Sequence, residues 1–142
     1  MTTRLVNSWV FASLLGLMFC VSTANAGVFL DEWKQIKKEF ETSTGKSKPS
    51  AKAEGFFRKK SGLEDALKNL EKAQAKAEKD TEKRKEYKTA VNQFGKVKTT
   101  YIKRLKEVQV ESDDQGYKHA IDVMIIKLED LEQKAAEVMN TW

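Results

Sequence analysis

The sequence predicts an all-α protein, an antiparallel helical bundle of three long helices with a shorter helix in front of them. Three observations predict it. Apolar residues recur at alternating steps of three and four along most of the chain. No run of alternating β-branched residues bounded by turns follows the first 26 residues, so a sheet has nothing to form from. Glycine and proline, the strongest punctuation in a sequence, number only seven and one.

The first residues read as a secretory signal peptide. Arg4 is the only charged side chain before Asp31, and from Trp9 to Val21 the chain is apolar apart from Ser13 and Gly16. That stretch is too short to span a bilayer and about right for a signal h-region. Small residues follow at Ser22-Thr23-Ala24-Asn25-Ala26, the Ala-x-Ala arrangement that signal peptidase needs, so residues 1–26 are expected to be removed. The expected location is periplasmic or extracellular, with one helical domain over residues 27–142. Cys20 is the only cysteine, and the bulky Phe19 before it argues against lipoprotein processing. The exported domain therefore has no thiol for a disulfide, a thiolate metal site or a nucleophile.

Each helix has its own signal. Phe29, Trp33, Ile36 and Phe40 form one stripe of a helix over about residues 28 to 42, which the run Thr42 to Ser50, holding the sole proline, then ends. A second helical region from Ala51 carries Ala53, Phe56, Leu63, Leu67, Leu70 and Ala77 and is kinked or restarted at Ser61-Gly62-Leu63-Glu64, which has the form of a capping box. Asp80-Thr81 is the only place for it to turn before a third helix of about residues 82 to 110. There Tyr87, Val91, Phe94, Tyr101, Leu105 and Val108 make the stripe, with Lys98 occupying the position the pattern skips. A second capping box at Ser112-Asp113-Asp114-Gln115 opens the fourth helix, whose Tyr117, Ile121, Met124, Leu128, Leu131, Ala135, Val138 and Trp142 keep strict heptad steps. Without the Asp80-Thr81 turn, the same pattern describes an extended helical hairpin or coiled coil, with one helix from Leu63 to about Val110.

Charge is unevenly spread. Residues 46–106 hold 19 basic and 8 acidic side chains, whereas residues 107–142 hold 3 basic and 9 acidic. Two consequences are open: the acidic last helix lies against basic neighbours and the charges steer packing, or the basic faces bind an anionic partner. Two basic clusters are the candidates for such contact. Phe57-Arg58-Lys59-Lys60 follows a second aromatic, Phe56, and Lys83-Arg84-Lys85 lies near the expected turn.

Catalytic and cofactor chemistry finds little material. The only histidine is His119, and a haem or zinc site needs further ligands converging on it, so no cofactor is expected. Carboxylate neighbours such as Asp113/Asp114 and Glu129/Asp130/Glu132 diverge around a helix, and no nucleophile elbow or glycine-rich oxyanion loop occurs. The chain is expected to be no enzyme but a binding or interaction protein of the inhibitor, immunity, adaptor or chaperone kind. Its expected partner is a protein, with attachment to an anionic lipid or lipopolysaccharide surface as the alternative and ligand or haem carriage a third reading. Nothing in the spacing points to nucleic acid, and the heptads are compatible with a homo-oligomer.

Overall fold

The computed structural model describes residues 28–45, 51–59 and 61–142. Residues 1–27, which include the expected signal peptide, the proline-containing connection at residues 46–50 and Lys60 lie outside the described residues. Of those described, 93% are helical and none is in a strand. The elements are α1 (Val28–Thr44), α2 (Ala51–Arg58), α3 (Gly62–Lys79), a 3-10 turn (Thr81–Lys83), α4 (Arg84–Glu111), α5 (Gln115–Val138) and a closing 3-10 turn (Met139–Thr141).

The Asp80 turn forms, so the bundle is realised and a continuous helix from Leu63 to Val110 is not. Its chemistry is local: Asp80 Oδ1 accepts from the Glu82 backbone N–H at 3.0 Å, while the Asp80 N–H still closes α3 on the Lys76 carbonyl. α3 and α4 thereby become an antiparallel hairpin. Asp114, rather than Ser112, caps α5 by accepting from the Tyr117 N–H at 3.1 Å, and Gln109 Nε2 ties the corner by donating to the Lys118 carbonyl and to Asp122. α1 runs antiparallel to α5, as the bonds from Lys134 to Glu32 and from Lys127 to Glu39 require. It also touches α3, where Lys37 meets Glu64 at 3.2 Å. The four helices thus close a ring in which each lies between two antiparallel neighbours.

The apolar stripes meet on the inside. Trp33, Leu67, Phe94, Leu105, Ile121 and Leu128 are among the fully buried side chains, and Trp33 sets its ring edge-on to Tyr101 at 5.6 Å. At one end Tyr87 donates its hydroxyl to the Ala135 carbonyl at 2.6 Å, and its ring packs on Trp142.

The second helical region is broken rather than kinked. Ser61 has an extended backbone and makes no side-chain cap bond, so the expected capping box is absent, and its would-be reciprocal partner Glu64 bonds Lys37 instead. The break makes α3 only 18 residues long against 28 for α4, shorter than the equal segments the sequence pattern suggests. A Cβ on Gly62 would meet Val97 at 3.5 Å, so α3 begins level with the middle of α4. α2 covers what remains: Phe56 packs on Tyr101, Phe57 on Phe40, and Lys52 bonds Glu111 at 2.9 Å.

α2 has eight residues and a glycine at its centre. A methyl group at Gly55 would meet nothing within 4 Å. Gly55→Ala is therefore expected to stabilise the fold by about 1 kcal/mol, raising Tm by about 4 °C in a thermal scan.

Candidate functional site

Breaking the helix between Arg58 and Gly62 opens a groove of about 500 Å³ between the end of α2, the start of α3 and one side of α4. Its floor is aromatic and aliphatic: Phe56, Tyr101 and Val97. Ser61, Gln93 and Thr100 supply neutral polar groups, and Lys59, Lys96 and Arg104 stand around it as cations. Among the described residues no carboxylate lines it. Lys96, Thr100 and Arg104 follow one another at four-residue steps, which on a helix places them along one ridge. The Tyr101 phenol, neutral at pH 7 in any case, is pushed by burial still further above its usual range.

The ion pairs of the bundle leave these cations alone. Among the described residues, salt bridges take Lys37, Lys52, Lys83, Lys98, Lys127 and Lys134. Between basic α4 and acidic α5 only Lys98 forms one, so charge steering between these two helices accounts for little of the α4 charge. Lys88, Lys96, Lys103, Arg104 and Lys106 are exposed and outside every ion pair found among the described residues.

Lys98 itself is only 5% exposed. Burial works against its ammonium, but hydrogen bonds to Glu129 at 2.5 Å and Glu132 at 3.1 Å outweigh that and raise its pKa. A side chain on Gly95 would run into the Glu132 carboxylate, so the glycine makes room for this clasp.

The sequence-predicted residues are dispersed. Lys59 stands on the groove, Arg58 is exposed beside it, and Lys60 lies outside the described residues. Phe57 turns the other way, its ring 4.9 Å from Phe40 on a separate cavity of about 290 Å³. The second cluster is split three ways: Lys83 bonds Glu86 at 3.2 Å, Arg84 lies 5.2 Å over the Trp142 ring, and Lys85 is exposed. Lys96 and Arg104 complete the groove although they belong to neither basic cluster; the overall basic character of this helix is their only signal in the sequence.

His119 is exposed, and among the described residues no three His, Cys, Asp or Glu side chains converge in a way that could hold a metal ion. No helix among them is long and apolar enough to cross a membrane. No family model, no curated protein and no solved structure matches this chain.

Proposed function

We propose that this chain is an exported, non-catalytic binding protein whose groove between α2, α3 and α4 docks an anionic partner. One observation carries the reading: Lys59, Lys96 and Arg104 surround an aromatic floor, unpaired and with no carboxylate among the lining residues. Cations left without internal partners attract an anion, and an apolar floor rewards a partner that brings an apolar group between its charges. A protein partner with an acidic helix or segment answers both demands. Attachment to a lipid surface draws less support, because Phe57, the aromatic that would insert, is held against Phe40.

A short peptide of glutamates around one leucine, labelled for fluorescence anisotropy, tests the reading. Saturable binding is expected at low salt and should fade as salt rises. Arg104→Glu and Lys96→Glu should each weaken it by about tenfold or more, whereas Lys85→Glu, far along α4, should leave it unchanged. No saturable binding at low salt, or equal binding by the groove variants, would overturn the proposal.

A further inference from the structure

We infer that the occupant of this groove is the outer ridge of α5 from a second copy of this chain. The inference rests on the groove reading above and names its partner. Asp122, Ile126 and Asp130 follow one another at four-residue steps along α5, and all three are exposed, as are Glu129, Gln133 and Glu137 beside them. The ridge is acidic because the lysines of α5 are engaged elsewhere. Lys127 and Lys134 reach Glu39 and Glu32 on α1, and Lys118 is half-buried at the corner where Gln109 holds its carbonyl. Ile126 is 60% exposed, and with Val110 it makes up the exposed large hydrophobics among the described residues. Nothing in the packing of its own chain accounts for an isoleucine held out among three acids, Asp122, Glu129 and Asp130.

The groove is the counterpart of that ridge in sign, spacing and polarity. Lys96, Thr100 and Arg104 repeat the same four-residue step, so cations and acids are each spread over about 12 Å of helix. Between the cations lie Phe56, Val97 and Tyr101, and between the acids lies Ile126. Laid on the groove, the ridge sets Asp122 and Asp130 against the two cations of α4 and covers Ile126 with the apolar floor between them. One chain cannot make this contact with itself. Its groove opens on the side of α4 facing α2 and α3, whereas the ridge faces outward from α5. The contact therefore joins unlike surfaces of two molecules, head to tail.

Light scattering across a concentration series tests it, on the chain as exported. At low salt the weight-average mass should rise with concentration, and at high salt it should return to that of the monomer. Ile126→Lys spoils the ridge and the pair Lys96→Glu with Arg104→Glu spoils the groove; each should be monomeric alone. Mixed, the first still offers an intact groove and the second an intact ridge, so they should form a one-to-one pair that grows no further. All three sites are exposed, and unchanged circular dichroism would confirm that the variants fold. A wild-type chain that stays monomeric at low salt up to millimolar concentration, or a mixture no heavier than its parts, would overturn the inference. If the acidic peptide still binds while self-association is absent, the groove reading stands and its occupant is another acidic protein. If the peptide fails as well, both fall together.

Discussion

Above about pH 10 the bundle is expected to lose stability steeply and to unfold as its tyrosines ionise. Burial raises the phenols of Tyr87, Tyr101 and Tyr117, and hydrogen bonds to two carboxylates raise Lys98 against the opposing effect of burial. In the unfolded chain a tyrosine releases its proton near pH 10, whereas in the fold burial holds it to higher pH. A raised folded pKa contributes stability that is complete below the unfolded value and is lost as pH climbs towards the folded one. Each such phenol withdraws about 1.4 kcal/mol per pH unit. Tyr87 and Tyr101 together would therefore withdraw about 5 kcal/mol by pH 12, a large part of the stability of a domain this size. Absorbance of ionised tyrosine and helical circular dichroism should change together, in one cooperative step. Gradual ionisation near pH 10 with the helices intact would refute the burial argument. Tyr87→Phe, which removes one titrating group, should move the alkaline midpoint upward even though it gives up the bond to the Ala135 carbonyl.

The second large effect concerns Lys98, whose two sides should respond unequally. Replacing both Glu129 and Glu132 with glutamine is expected to cost about 2–3 kcal/mol, because the ammonium stays buried with only neutral acceptors around it. Lys98→Met should cost less than about 1 kcal/mol, since methionine fills similar space and the acids can return to water. The Glu129 side chain is already 53% exposed and that of Glu132 32%. Urea denaturation with a common m-value would measure both. If Lys98→Met proved as costly as the double substitution, the ion pair itself, rather than the avoidance of a stranded charge, would be the stabilising element.

What could be read in advance followed local periodicity and local chemistry. The stripes on α1, α4 and α5 are buried as their spacing implies, down to Ala135. Asp80-Thr81 turns because an aspartate can satisfy an amide two residues ahead. Lys98 looked like a gap in a stripe because its partners lie 31 and 34 residues away on another helix, a relation no window of sequence contains. The groove was half visible for the same reason. Phe56 and Lys59 stand three residues apart in the chain, but Lys96 and Arg104 reach them only through the packing of α4. The capping boxes misled at both sites, since Ser61 makes no cap bond and Asp114 takes the role assigned to Ser112. A serine three residues before a glutamate or glutamine offers a cap, but Asp114 stands nearer the start of α5 and takes it, and Glu64 is drawn to Lys37 instead.

The placement of α1 has a consequence for how the chain emerges. Its bonds to α5 join residues 102 and 88 positions apart, whereas α3, α4 and α5 are consecutive and each can pair with the one just made. Whether the chain leaves a ribosome or a secretion channel, the helix carrying Phe29, Trp33, Ile36 and Phe40 precedes the others and α5, its main neighbour, comes last. Until α5 follows, four large apolar side chains lack part of their cover, although Phe57 of α2 and Tyr101 of α4 are already there to meet Phe40 and Trp33. A holding factor that grips an aromatic stripe and releases it once the C-terminus is free would suit the passage of this protein.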